Sequence, residues 1–420
     1  VGVSLFDRHA LITGLIHIVL PRGSKEKEAL FPARYASTGI PLLLTEMIGH
    51  GASRENIVAE IVGGALMLTN QKLNVDMNIG RRNSDSARET LAREGIPALN
   101  RVIGGCSGRV FRLDPNSGKT FIRYAGEKTS RGGPPPVGLE KIDPEAFVKG
   151  IEGLKPIPEK ARRVISLIEF SYGYSPAHLE RYVLKDPAIC ANVLKMCNSD
   201  QPGFGYRVQS VSDATSLLGL DALKDIVLAA STYKLYNDAP KGYSTEEGDH
   251  LSRHAVCCAM VARLLADRKG LGDPALFFTA GLLHDIGKLI LDQYAFEKFN
   301  LVMDRVVHEA KTSIEVEDEM LGCNHTQIGG IAAMEWGLPQ ALVAAISFHH
   351  TPEKAFESPE LVSVVHIADI ICAMFGAGAG VSVLAGPLHQ YALSVLDLKP
   401  EDVDGIIEQL PDVVKKVDAE

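Results

Sequence analysis

Seven side chains in the C-terminal two-thirds of this chain recur in a fixed order: His254, His284-Asp285, His325, His349-His350 and Asp369. Neutral imidazole and carboxylate carry lone pairs suited to borderline metals, so Zn, Fe or Mn is the expected ion. Each residue lies near the middle or end of an apolar, helix-like segment, where a buried polar side chain must find a partner. Several converging on one point would make a metal cage. The alternative is scatter, since the chain has 13 histidines, each hydrogen-bonded in a core. The piece Gly281-Leu282-Leu283-His284-Asp285-Ile286-Gly287-Lys288 is much harder to obtain by chance.

The elements that must position these residues are helices. A helix over 249–269 puts His250 and His254 on one face, and one over 273–292 carries His284-Asp285. Gly287 lets another backbone or a ligand come close. His325 opens a helix within 324–336, and His349-His350 close one over 338–349. Asp369 follows His366 by three residues on an apolar helix over 358–374. Helical patterns also cover 144–152, 158–173, 175–184, 188–198, 210–218, 220–236, 294–310, 314–320, 387–395 and 400–408. Residues 1–127 read differently, as mixed α/β. Val1–Phe6 and Leu11–Leu20 are strands around an Asp7-Arg8-His9 turn, and Ile40–His50 is a helix with Pro41 in its first turn. Ile57–Met67 is a strand interrupted at Gly63-Gly64, Arg81–Glu94 is a second helix, and 101–103, 109–113 and 120–124 are strands. Between the two patterns, Ser130-Arg131-Gly132-Gly133-Pro134-Pro135-Pro136 cannot bury a core and reads as a linker.

Net charge is −9 with no long basic stretch, which disfavours nucleic acid as a partner. No apolar run reaches the ~18–20 residues of a membrane span. Seven cysteines without a C-x-x-C pair argue for a reducing compartment, hence the cytoplasm.

From Leu154 to Met374 the chain resembles the HDOD domains, signalling relatives of the HD phosphohydrolases. The matching segments are Leu154-Lys155-Pro156-Ile157-Pro158, Leu184-Lys185-Asp186-Pro187-Ala188, Ser216-Leu217-Leu218-Gly219-Leu220, Gly281–Lys288, Met334–Pro339 and Phe348-His349-His350. The resemblance implies a metal set of His254, His284, Asp285 and Asp369. His325, His349 and His350 resemble the second-metal ligands of the HD-GYP phosphodiesterases, but Thr351-Pro352-Glu353 follows instead of a GYP segment. With metals bound, the implied chemistry is phosphoester hydrolysis by an acidified water, Lys288 steadying a phosphate. Lys288 could equally be a solvent-facing residue.

Residues 1–127 resemble CheD, the chemoreceptor glutamine deamidase of bacterial and archaeal chemotaxis. The resemblance rests on Gly14–Pro21, Ala33–Ala36, Glu60–Ala65, Met77–Asn83, Arg93–Pro97 and Val102–Gly105. It implies a cysteine–histidine hydrolase in which His17 is the catalytic histidine and no cofactor is needed. The nucleophilic cysteine would be the residue immediately preceding Val1. Because the sequence opens on Val, it is expected to start inside a gene product. Cys106, on a loop after a glycine pair, is not expected to be the nucleophile.

The expected fold is therefore two-domain: a mixed α/β sandwich over 1–127, a linker over 128–150, an all-α helical bundle over 151–375, and a helical extension over 376–420. Three functions stay open. The first is a receptor deamidase coupled to an HDOD signalling module, with chemoreceptors and a chemotaxis phosphatase as partners. The second is a non-catalytic regulatory scaffold, and the third a metal-dependent phosphodiesterase.

Overall fold

Val3 and Leu5 of β1 (Gly2–Asp7) point to one side of the strand, while Gly2 and Phe6 point to the other, as period-2 alternation requires. That alternation decides the architecture of the N-terminal unit. In the computed structural model β1 pairs antiparallel with β2 (Ile12–His17) and with β3 (Ile57–Gly63), and β3 pairs parallel with β6 (Ala98–Ile103). The sheet order is β2-β1-β3-β6. On the Val3/Leu5 face lie α2 (Ala36–Gly49) and α3 (Ile79–Arg93), which bury Ile40, Leu44, Met47, Ala87 and Leu91 against Ile57, Ala59 and Ile61. On the other face lies a hairpin of β7 (Arg109–Leu113) and β8 (Thr120–Tyr124). The short α1 (Lys25–Leu30), β4 (Thr69–Asn70) and β5 (Val75–Asp76) complete this unit.

The structure describes residues 1–65, 69–70, 75–76, 79–105, 108–115, 117–124, 141–151, 250–309, 311–374 and 388–418, with isolated positions between 210 and 229. The helices expected over 158–198, the Leu154–Pro158 and Leu184–Ala188 segments, most of 210–236, the linker positions 128–140 and Cys106 lie outside the described residues.

The C-terminal unit is all helical where described. α4 (Pro144–Gly150) is capped by Asp143, and Ile142 and Val148 pack with Phe299, Val302 and Leu321. Residues 142–151, placed by sequence at the end of the linker, thus belong to the helical core, because their apolar side chains recur at helical spacing. α5 (His250–Lys269) is the central helix, flanked by α6 (Pro274–Leu283), α12 (Pro359–Met374) and α14 (Pro400–Asp418). α7 (Ile286–Tyr294), α8 (Phe296–Glu309), α9 (Ser313–Leu321), α10 (His325–Glu335), α11 (Gln340–Phe348) and α13 (Gln390–Val395) complete the described part of this unit.

Three boundaries differ from expectation. α2 begins at Ala36, so Pro41 lies inside the helix and not in its first turn. The Ser37 carbonyl, which Pro41 cannot bond, takes Arg93 Nη2 at 3.5 Å instead. The single helix expected over 273–292 is two, broken at His284-Asp285. α14 runs ten residues past 408, because Ile406, Leu410, Val413 and Val414 continue the apolar stripe. By length and composition Pro274–Tyr294 does meet the measure of a membrane span, but 89% of its most apolar window is buried inside the protein.

Candidate functional sites

Glycines place the histidine–aspartate residues. A Cβ on Gly281 would come 2.8 Å from Ala259 Cα, so α6 crosses α5 almost backbone to backbone. That crossing brings His284 beside His254. Gly287 does the same one element later. Its Cβ would overlap the His325 carbonyl and come 2.9 Å from Gly329 N, so α7 lies directly on α10. His325 is the first residue of α10, held there by a capping box in which Asn324 accepts from Thr326 and Gln327 N–H and Gln327 Oε1 accepts from Asn324 N. His349 and His350 follow the last residue of α11, and Asp369 comes from α12.

All seven expected residues meet at one place. Asp285 stands at its centre. Its Oδ1 lies 3.3 Å from His325 Nε2 and 3.7 Å from His349 Nε2, while Oδ2 lies 3.5 Å from His284 Nε2 and 3.7 Å from His254 Nε2. His254 Nε2 lies 3.1 Å from Asp369 Oδ1, and His350 Nδ1 lies 3.9 Å from Asp369 Oδ2. The His254, His284, Asp285, His325 and His349 side chains are buried, and His350 lies deeper than its partial exposure suggests, packed between His325 and His349.

The decisive detail is which ring nitrogen is used. His284 Nδ1 donates to Gly281 O at 2.7 Å, His349 Nδ1 to Ile346 O at 3.0 Å and His325 Nδ1 to Glu317 at 2.6 Å. Each Nδ1 therefore carries the proton, and each Nε2 lone pair faces the interior. The Nε2 atoms of His284, His325, His349 and His350, with Asp285 Oδ1, are buried without a hydrogen-bond partner. Buried polar atoms are nearly always paired, so five orphans facing one another are costly unless a cation joins them. The donor set fits a borderline metal, with Nε2 and carboxylate oxygens inward and Nδ1 atoms anchored outward.

Electrostatics agree. Burial alone would raise both carboxyls, yet Lys288 and the imidazoles hold Asp285 well below the usual carboxylate range. The imidazoles of His254 and His284 do the same for Asp369. Burial pushes His350 down to about 3, and burial with the adjoining rings takes His349 well down, so both are neutral. For His284 burial opposes the charge, but Asp285 and Asp369 outweigh it and raise the pKa, so the two carboxylates draw a positive charge to its Nε2, a place a metal cation would take from a proton.

Lys288 is buried and donates from Nζ to Asp285 Oδ2 at 2.7 Å. Sequence reasoning missed two positioning residues. Glu317, fully buried on α9, anchors His325 through both its backbone N–H and Nδ1. His366 donates from Nδ1 to His349 O at 2.6 Å and accepts from His389 N at Nε2, pinning the end of α11. A glutamate between Val316 and Met320 on an apolar stripe was the available signal for the first.

His17 stands far from this cluster in sequence, at the end of β2 opposite Gly2 of β1. It lines a cavity of about 360 Å³ with Val1, Gly63, Gly64, Asn83, Arg109 and Phe111. Gly63 and Gly64 take positive φ (+122° and +69°), and a Cβ on Gly64 would meet Gly80 O at 2.8 Å, which seats the N-terminus of α3 against the end of β3. Asn83 Nδ2 donates to Val19 O at 2.8 Å, and Arg109 Nη1 to Gly63 O at 3.1 Å, tying the walls together. Burial of the ring, together with the nearby Val1 ammonium, pushes the His17 pKa down to about 4, so the ring is neutral at pH 7. Ala373 and Met374, the last two residues of α12, complete the wall.

Comparison with known proteins divides at the same place as the fold. Residues 19–124 match the family described as CheD chemotactic sensory transduction, and residues 154–352 match the HDOD domain. A relative from Clostridium botulinum (strain Eklund 17B / Type B), named "Probable chemoreceptor glutamine deamidase CheD", is 33% identical over 126 residues, covering 30% of this chain and 78% of the relative. One of the same name from Desulforamulus reducens is 38% identical over 126 residues, covering 30% and 76%. Over the helical unit, the crystal structure of an HDOD domain protein from Geobacter sulfurreducens superposes with a TM-score of 0.53 at 22% identity, covering 64% of this chain and 96% of that one, which shows the fold. With its sheet and its helical bundle matched in this way, the chain belongs to the CheD family through its N-terminal domain and carries an HDOD domain behind it.

Proposed function

We propose that this chain is a cytoplasmic chemotaxis protein that deamidates glutamine side chains of chemoreceptors and whose HDOD domain, binding metal, governs that activity. The observation that carries the reading is the His17 cavity, whose walls come from both domains.

The deamidase step assigns the chain's groups as follows. A cysteine thiol loses its proton to neutral His17, and the thiolate attacks the glutamine carboxamide carbon. The imidazolium returns the proton to the leaving ammonia, and water then cleaves the thioester to glutamate and free thiol. Strand register supports the expected position of that cysteine. Val1 and Ile18 exchange both backbone hydrogen bonds, Val1 N to Ile18 O at 2.9 Å and Ile18 N to Val1 O at 2.7 Å. With Gly2 opposite His17, a residue joined to Val1 N would share the face of His17 as its diagonal neighbour, within side-chain reach.

The test is ammonia release from receptor-derived glutamine helices by a protein carrying a cysteine immediately before Val1. The parent should be active, and His17→Ala should lower the rate by roughly 10²–10⁴-fold. An inactive product that still binds the receptor helices would leave only the scaffold reading.

A second reading, metal-assisted phosphoester hydrolysis in the HDOD domain, is favoured by the five orphaned donor atoms around Asp285. When bound there, metal would acidify a water and bear charge on phosphoryl oxygens. His254, His284, Asp285 and Asp369 would hold one ion, and His325, His349 and His350 a second. Purified protein should carry Fe, Zn or Mn, which a His284→Ala, Asp285→Ala variant should lose. Metal-loaded protein that releases no phosphate from phosphodiesters would make the site a regulatory one.

A further inference from the structure

Asp285 is an ambiguous ligand for the ion of His254, His284 and Asp369. Its Oδ2 is taken up by Lys288 at 2.7 Å, and its Oδ1 faces His325 and His349. That leaves the first group one donor short of four. One turn after His254 on α5 is Cys258, which leaves the same face of the helix and is fully buried. Its Sγ lies 3.4 Å from His254 Nε2, and the ligand atoms of His254, Cys258, His284 and Asp369 all lie within 4.8 Å of one another. Metal bonds of about 2.0 Å to imidazole nitrogen and about 2.3 Å to thiolate sulfur, opened to the tetrahedral angle, separate N from S by roughly 3.5 Å. Sγ also lies 3.8 Å from His254 Nδ1, beside the ring, so a rotation of the Cys258 side chain is what brings the sulfur in front of Nε2. Independently, the buried His284 Nε2 faces the same space without a partner.

We propose that Cys258 ligates the first metal as a thiolate, giving a Cys-His-His-Asp set. The inference rests on the metal-binding reading above. Binding would release the thiol proton to solvent and form one S–metal bond, with no change of oxidation state. Two consequences follow from the donor chemistry. A soft sulfur donor selects Zn or Fe over Mg, Ca or Mn. Four protein donors also close a tetrahedral site, which then has no position for a reacting water. The first site is structural and reports metal supply, whereas the group around His325, His349 and His350 keeps an open position.

Cobalt(II) loaded into the intact chain tests this by absorption spectroscopy. The parent should show the near-ultraviolet thiolate-to-cobalt charge-transfer band together with visible bands of tetrahedral intensity. Cys258→Ser, close to isosteric, should lose the charge-transfer band and bind zinc at least about a hundredfold more weakly, beyond the roughly 10–100-fold that loss of an outer-shell partner costs. Cys257→Ser and Cys372→Ser should keep the band, although the Cys372 thiol touches that of Cys258. Far-ultraviolet circular dichroism of each variant separates lost ligation from lost folding. Cobalt bound without the band, or a band unchanged in Cys258→Ser, overturns the thiolate while the metal reading survives. A folded parent that binds no cobalt overturns both.

Discussion

At the scale of the residue, the arrangement is governed by which atom of each side chain is spoken for. Glu317 receives both the backbone N–H and Nδ1–H of His325, fixing the tautomer that leaves Nε2 inward. Glu317→Gln keeps the shape but removes the charge that favours this proton position. It should weaken zinc binding by roughly 10–100-fold in competition titrations with a chromogenic chelator. A change below twofold would mean that the backbone alone orients His325. The seven site residues were legible because their types are rare inside apolar segments. Glu317, His366 and Cys258 were not, since a lone Glu, His or Cys on a helix is ambiguous until its neighbours across space are known. Lys288 illustrates the same point. As a sequence feature it suited a phosphate, yet it stands buried against Asp285, because a carboxylate in a low-dielectric site draws the nearest cation.

Elements meet at this site through close crossings. Gly287→Ala would drive a methyl into the His325 carbonyl, and backbone on both sides leaves little room to yield. It should destabilise the helical domain by about 1–3 kcal/mol in urea titrations, with loss of bound metal. Unchanged stability and metal content would mean that α7 and α10 can separate without cost. A second element pair, α8 and α9, is joined by charges: Arg305 bonds Glu309 at 2.7 Å and Glu319 at 3.1 Å, and Lys311 bonds Glu319 at 2.7 Å. The hydrogen bond from Arg305 leads the causes that lower the Glu309 pKa from the usual 4.5. The folded value is thus depressed, so this contribution is fully present above pH 4.5 and is lost as pH falls from there through the folded value. Stability measured against pH should decline over that window, and Glu309→Gln should flatten part of the decline; identical profiles would show the network to be fully solvent-screened. Helix locations were readable from apolar periodicity. The break at His284-Asp285 was not, because the local pattern runs through it and the crossing with α10 decides where the helix turns.

Over the whole molecule, the two domains share an interface. Leu20, Tyr35 and Ile79 of the CheD domain join the same apolar cluster as Val413 and Val414 of α14, and Arg82 holds Asp404 at 2.5 and 3.0 Å. α12 carries Asp369 in the metal cluster and Met374 in the wall of the His17 cavity, little more than one turn apart. Met374→Trp should crowd that cavity and weaken binding of receptor glutamine helices at least about fivefold, the equivalent of 1 kcal/mol or more of overpacking. Its metal content should match the parent, and unchanged binding would place the glutamine away from α12. Limited proteolysis should cut first within 128–142, whose Gly-Pro composition cannot support a core; earlier cutting within 250–370 would contradict the two-unit division. Sequence by itself determined the two domain types and singled out the seven histidine and aspartate residues and His17 as candidates, because residue types at motif spacing and apolar periodicity are local properties of a chain. Tertiary structure alone decided that the seven residues face one another, that Asp285 stands between two groups, and that an HDOD helix walls the His17 cavity. Those are contacts between residues tens to hundreds of positions apart, and no periodicity along the chain encodes which helix crosses which.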